Sequence, residues 1–314
     1  MKDHFDRGNT APVIELTDLS KKYGDVSAVD GLSLRVLPGE IYGFLGRNGA
    51  GKTTTIRMML GLIGPSMGSA RLFGHDLATD RPGAVRACGS LVETATAYPN
   101  LTLRENLDLE CRLRLVDRAE TNRCMKLLHI EYLADRRAGH LSLGNKQRLA
   151  LARAMIGSPR LLVLDEPGNA LDPAGIVEIR DLFKELVDRE KATIFISSHI
   201  LGEISLLANR IGIIHEGKLI EELDTGEWEN RNSPSAFRLQ TTDNKNASKL
   251  LSSLPGLGQD SIKAEGNHLV LRSPDLDPAR VAKTIIEGGI GLRALIPELE
   301  DLESYFLRRT GGRE

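Results

Sequence analysis

Between Ile41 and Leu60 the chain reads IYGFLGRNGAGKTTTIRMML, and no other stretch restricts what it can fold into as tightly. Ile41 to Leu45, mostly apolar, predict a short buried strand; Gly46 to Thr53 then spell G-x-x-x-x-G-K-T, and a helical run follows to about Leu62. Gly46, Gly49 and Gly51 let the loop fold back so that its backbone N–H groups point inward. The N-terminus of the new helix presents the positive end of its dipole to the same spot. A triphosphate fits there. Lys52 is placed to reach the β and γ phosphates as a point charge, and the Thr53 hydroxyl to take one coordination position on Mg²⁺.

With 314 residues, of which 41% are hydrophobic, the chain has room for one large or two unequal domains with proper cores. Lys plus Arg number 41 against 43 Asp plus Glu, a net charge of -2, so no overall basic field draws it to nucleic acid or anionic lipid. No nucleic-acid partner is expected. Cys88, Cys111 and Cys124 match no zinc or redox spacing and read as ordinary reduced thiols of a cytosolic chain. The N-terminal MKDHFDRGNTAP is polar, and no apolar run approaches the roughly 18 residues needed to span a bilayer. Any membrane role is therefore expected to come through a partner.

Val13 to Val36 offers short, alternating, β-branched segments separated by Gly24 and Gly31, which suits an antiparallel sheet ahead of the glycine loop. Tyr23, in its first turn, reads either as ordinary surface or as an aromatic platform on which adenine stacks. Beyond the loop, Gly64-Pro65 stops the helix and Ala70 to Phe73 resume a strand. From Arg81 to about Ser158 the leucine spacing turns helical and predicts an inserted helical subdomain. Within it, Thr102 and Glu105 form a capping box after the Pro99-Asn100 turn, and Glu93 precedes that hinge. Leu141 to Gln147, LSLGNKQ, then opens a helix that runs to Ile156, with Ser142 as its N-cap.

Leu161 to Leu164 is a wholly apolar strand that delivers Asp165 and Glu166 at its C-terminal end, where ligands of open α/β sheets bind. Paired carboxylates there are costly unless used. Asp165 is expected to hold Mg²⁺ through its water shell, and Glu166 to orient or deprotonate an attacking water. Asn169-Ala170-Leu171-Asp172 turns the chain into a long helix from Ala174 to Glu190. Thr193 to Ser197 forms another buried strand, ending at Ser198-His199, and a histidine at that edge is placed to see the γ-phosphate.

In this order the motifs resemble the nucleotide-binding subunit of an ATP-binding-cassette transporter, over roughly Val13 to Asp224. The resemblance implies an α/β fold: a P-loop NTPase core at 13–224 with an antiparallel β subdomain and an inserted helical subdomain at about 81–158. It implies nucleotide binding by Tyr23, Gly46, Asn48, Gly49, Ala50, Gly51, Lys52, Thr53 and Thr54, with Glu166 and His199 catalytic and Thr53, Asp165 and Glu93 toward Mg²⁺. Ser142, Gly144 and Gln147, in the signature, would serve the ATP of an opposite subunit, and Asp172 would end a dimer-contact turn. The implied protein is an ATPase working as a homodimer with a separate integral-membrane permease, peripheral on the cytoplasmic face of the membrane. Details around Glu93 and LSLGNKQ further resemble ATPases of multidrug and bacteriocin or lantibiotic-type export.

Four positions depart from the family pattern, which usually has Gln at Glu93, Gly and Gln at Leu143 and Asn145, and Thr at Gly168. Glu93 and Leu143 prompt an alternative, a nucleotide-gated subunit that hydrolyses little. Another alternative is a soluble regulatory ATPase, although the chain carries no second G-x-x-x-x-G-K-T and no heptads.

Ile204 to Arg231, with the turn Glu216-Gly217, reads as a join. Residues 225–314 then read as a small α+β domain with a packing or dimer-stabilising role. Its expected strands are Ser235 to Thr242, Ser261 to Ala264, Asn267 to Arg272 and Leu292 to Ile296. Helices are expected at Ala247 to Leu254, Pro278 to Glu287 and Leu299 to Arg309.

Overall fold

The computed structural model describes residues 11–92, 97–231, 236–254, 257–258, 261–273 and 276–298. The chain divides into two compact units, Met1–Thr225 and Gly226–Glu314.

The first unit opens with a hairpin: β1 (Ile14–Tyr23) and β2 (Val26–Val36) pair antiparallel, from Ile14 opposite Val36 to Tyr23 opposite Val26. Gly31 does not divide β2 as expected. Its φ of 63° lies where the register shifts between the Leu19–Leu32 and Lys21–Val29 pairs, so it supplies a bulge that a side chain would strain. Next come β3 (Ile41–Leu45), α1 (Lys52–Met59), β4 (Met67–Leu72) and β5 (His75–Asp76); α1 stops earlier than expected, where Gly61 turns left-handed at φ 64°. Strands β2, β1, β4 and β5 form one antiparallel sheet in that order.

The elements that follow are α2 (Arg81–Val85), β6 (Cys88–Leu91), α3 (Leu103–Arg114), α4 (Ala119–Leu127), α5 (Leu143–Met155), β7 (Leu161–Asp165), α6 (Pro173–Glu190), β8 (Thr193–Ser198), α7 (Leu201–Ser205), β9 (Arg210–His215) and β10 (Lys218–Asp224). The second sheet runs β10-β9-β3-β8-β7-β6, parallel except for β10. Two sequence expectations change here. The helical span 81–158 also contains β6, which pairs with β7 in this sheet. Ile204 to Arg231 is no mere join, since β9 lies directly against β3 and Glu216-Gly217 is the turn of the β9–β10 hairpin.

One core joins the two sheets and α1. Tyr42 and Phe195 stack with ring centroids 5.4 Å apart, and Phe44 packs on Phe195 at 5.3 Å. Each ring contributes roughly 1.5–3 kcal/mol by leaving water. The helical layer is fixed locally: Thr102 and Glu105 form the expected capping box at the start of α3. All three cysteines are free and buried, and burial pushes the thiols of Cys88 and Cys124 up to about 12, which leaves them unreactive.

After α8 (Thr225–Arg231), the second unit contains β11 (Ala236–Thr241), α9 (Asn244–Leu251), β12 (Ile262–Glu265), β13 (His268–Arg272), α10 (Pro278–Glu287) and β14 (Leu292–Glu298). This β-α-β-β-α-β succession forms an antiparallel sheet in the order β12-β13-β11-β14, the ferredoxin-like arrangement. Phe237, Leu239, Leu269 and Leu271 from the sheet meet Ala247, Leu251, Val281 and Ile285 from the helices in its core. The helix expected at Leu299 to Arg309 lies outside the described residues.

Candidate functional site

Strands β3, β8 and β7 are neighbours and parallel, so the loops after their C-terminal ends share one edge of the sheet. Gly46 leaves β3 there, and a Cβ on it would meet Ile214 Cγ2 at 2.6 Å and the Ile214 carbonyl at 2.7 Å. Only glycine fits that close approach. Gly49 (φ 81°) and Gly51 (φ 108°), the N-cap of α1, take left-handed backbone. Arg47, Asn48 and Gly49 stand exposed on the rim, Ala50 is buried, and Thr53 and Thr54 are half-buried. Gly217 N donates to the Ala50 carbonyl at 2.9 Å, so the β9–β10 turn braces the loop from behind.

Lys52 is buried with 6% exposure, and its Nζ donates to the carbonyls of Gly46 at 2.6 Å and Arg47 at 3.4 Å. The same ammonium lies 3.2 Å from Glu166 Oε1. Thr53 Oγ1 donates to Asp165 Oδ2 at 2.8 Å, while the Ser197 hydroxyl donates to Asp165 Oδ1. Glu166 has left-handed backbone at φ 49°, and its N–H donates to Ser197 Oγ at 3.1 Å and to the Ser197 carbonyl at 3.2 Å. Strained backbone of this kind is retained where the surroundings over-determine it. Its Oε2 meets His199 Nδ1 at 2.7 Å. Lys52, Thr53, Asp165, Glu166 and His199 are thereby gathered from three loops into one connected cluster.

Tyr23, Ser142, Gln147 and Asp172 make their contacts outside that cluster. Tyr23 is the last residue of β1 and 49% exposed, with Lys21 Nζ 5.4 Å from its ring centroid. Ser142 is exposed and caps α5 by accepting from Asn145 N at 3.3 Å; Leu143 beside it is 65% exposed. A Cβ on Gly144 would lie 3.0 Å from the Ala170 carbonyl, so the start of α5 packs tightly against the loop after β7. Asp172 is exposed and caps α6, accepting from Gly175 N at 2.9 Å. Gln147 does not share the exposed face of Ser142. It is buried, and its Nε2 donates to the Pro167 carbonyl at 3.0 Å, because the position one turn into α5 points at the chain's own loop. Glu93 lies outside the described residues.

Two contributors escape a reading of the sequence. Ser197 is opposite Asp165 in the β7–β8 register, and the only signal for it is a hydroxyl at the end of TIFIS. Glu203, in α7, has its carboxyl pushed up by burial and by the charge of Glu166, with the His199 ring pulling the other way. The donor set offered to a metal is a hydroxyl and a carboxylate, Thr53 and Asp165. These hard oxygen ligands suit Mg²⁺, which takes one or two protein oxygens and completes its shell with water and phosphate.

Comparison with known proteins supplies the family. Residues 29–169 match the ABC transporter family model. The bacitracin transport ATP-binding protein BcrA of Bacillus licheniformis is 39% identical over 96% of this chain and 98% of that protein. The lantibiotic transport ATP-binding protein SrtF of Streptococcus pyogenes is 35% identical over 69% of this chain and 93% of its own length. A solved structure of the ATP-binding subunit of an ABC transporter superposes with a TM-score of 0.64 at 28% identity, covering 70% of this chain and 92% of the other. The chain belongs to the ABC transporter family as an ATP-binding subunit whose ATP hydrolysis is coupled to transport. Among the described residues no helix is long and apolar enough to cross a membrane.

Proposed function

We propose that this chain powers the export of a peptide antibiotic through a separate permease in the membrane, closing as a pair of copies around ATP on its cytoplasmic face. The observation that carries the reading is the cluster in which Lys52, Glu166 and His199 meet at the mouth of the glycine loop. The substrate class rests on the near full-length similarity to a bacitracin transport protein.

In this reading Tyr23 stacks on adenine, and the loop from Gly46 to Thr54 holds the phosphates with its backbone N–H groups and Lys52. Thr53 and Asp165 would hold Mg²⁺, with Glu93 as a further oxygen ligand. Mg²⁺ when bound offsets the charge on the β and γ phosphate oxygens. Glu166 orients the attacking water and takes its proton, and His199 fixes the carboxylate through Nδ1. Lys52 sits close enough to Glu166 to set that carboxylate beside the phosphate it binds.

The exposed Ser142 at the start of α5, with Gly144, faces the second copy's ATP, and the Asp172 turn meets that copy. The exposed Leu143 adds an apolar contact there. Gln147 joins the two parts within one chain, tying α5 to the loop that carries Glu166. The cassette at 13–224 performs this chemistry, its helical part within about 81–158 meets the permease, and 225–314 stabilises the pair. The test is co-expression with the permease and reconstitution in vesicles. ATP turnover stimulated by bacitracin, and lost in Glu166→Gln, supports the reading; turnover indifferent to the peptide removes the substrate class.

A further inference from the structure

Arg148 follows the buried Gln147 on α5, and the proposed function gives it no work although its side chain joins three elements. Nη1 donates to the carbonyl of Leu128, the C-cap of α4, at 3.1 Å. Nη2 donates to Glu178 Oε2, on α6, at 2.8 Å. A guanidinium presents its donors in a rigid planar fork, so one side chain fixes both neighbours relative to α5.

Gly175 shows how near this fork comes to the Asp172 turn. The backbone at Gly175 is not left-handed, so conformation does not demand glycine, yet a Cβ there would stand 2.8 Å from Asp172 Oδ1 and 3.1 Å from Arg148 Nη2. Both atoms crowd the one point that the missing side chain leaves open. Asp172 Oδ1 accepts from Gly175 N at 2.9 Å as the cap of α6, and Glu178 stands six residues beyond that cap. Arg148 likewise stands six residues beyond Ser142, the cap of α5. The ion pair therefore pins the two helices at equal distances along the chain from their exposed caps. Gly144 against the Ala170 carbonyl and Gln147 on the Pro167 carbonyl hold α5 to the loop before Asp172. Arg148 reaches the helix beyond it.

We propose that Arg148 is a positioning residue for ATP-driven pairing. By clasping Glu178 beside Asp172, it locks the Ser142 end of α5 and the Asp172 turn into one surface, so that both meet the second copy together, and Gly175 leaves room for the clasp. This rests on the reading that Ser142 and Asp172 face a second copy. The phosphate-binding contacts of Lys52 and Thr53 lie on other loops, so ATP binding by a single copy does not need the clasp, whereas pairing does.

The test is the monomer–dimer equilibrium of the full-length chain with Mg·ATP, followed by analytical ultracentrifugation in the Glu166→Gln background. Affinity for a fluorescent ATP analogue and the thermal midpoint are measured alongside. Arg148→Met and Glu178→Ala should each raise the dissociation constant of the dimer about tenfold, the loss of a charged hydrogen bond, with nucleotide affinity unchanged. The double variant should be no weaker than Arg148→Met, because the two residues act through one bond. Gly175→Ala should weaken the dimer by pushing Asp172 and Arg148 apart. Alanine also favours the helix and offsets a disturbed cap, so the thermal midpoint should stay close to the parent's and separate positioning from folding. Glu178 is 47% exposed, so Glu178→Ala keeps the test decisive if Arg148→Met fails to fold. A dissociation constant unchanged in Glu178→Ala or in Gly175→Ala overturns the proposal, as does a weaker dimer matched by an equal loss of nucleotide affinity. If Glu166→Gln itself stays monomeric with ATP, the paired reading fails and the clasp falls with it.

Discussion

Lys52 Nζ lies 3.2 Å from Glu166 Oε1, which places the cation of the glycine loop directly beside the carboxylate that follows β7. Residues more than a hundred positions apart thus form one site, because β3 and β7 flank β8 in the same parallel sheet. Lys52→Ala should abolish tight Mg·ATP binding, a loss of about 2–5 kcal/mol, since it removes the buried ammonium and leaves phosphate and carboxylate facing each other. Titration with a fluorescent ATP analogue measures it, and near-parental affinity would remove the phosphate-binding role.

Tyr23→Ala should weaken nucleotide binding more mildly, by about 1–3 kcal/mol, if a base stacks on the ring. The ring is 49% exposed at the end of β1, so its loss should leave stability nearly unchanged. The same titration, paired with a thermal melt, separates the two effects. Unchanged affinity would return Tyr23 to ordinary surface.

Gln147→Ala should cost about 1–3 kcal/mol of stability, because the Pro167 carbonyl then loses its buried donor. It should also lower turnover more than ATP affinity, as the loop carrying Glu166 loosens. Urea unfolding gives the first quantity, and steady-state kinetics the second. A variant with parental stability would show that the bond contributes nothing.

The parts of this fold that can be read in the sequence are those whose cause is local. The strand, glycine loop and helix from Ile41 onward, the Thr102–Glu105 box and the Ser142 cap each depend on residues within a few positions, and each forms where expected, the helix alone ending a few residues early. Strand β6 hides because CGSL is only four residues long inside a helical stretch. Strands β9 and β10 hide for another reason: β9 is held by pairing with β3, some 168 positions away at the Ile41–Asn209 hydrogen bond, and local pattern carries no trace of that partner. Gln147 illustrates the same limit within the site, since its motif suggests a role while only the packing of α5 on the Pro167 loop fixes where its amide points.

The most direct test of the whole account is the behaviour of Glu166→Gln in the presence of ATP. The amide keeps the shape of the side chain and loses the base, so ATP should still bind while turnover falls by about 100-fold or more. Size-exclusion chromatography with Mg·ATP should then show a stable dimer where the parent, hydrolysing its ATP, returns to monomer. A variant that stays monomeric with ATP and hydrolyses it at the parental rate would contradict both the assignment of Glu166 and the ATP-closed pair.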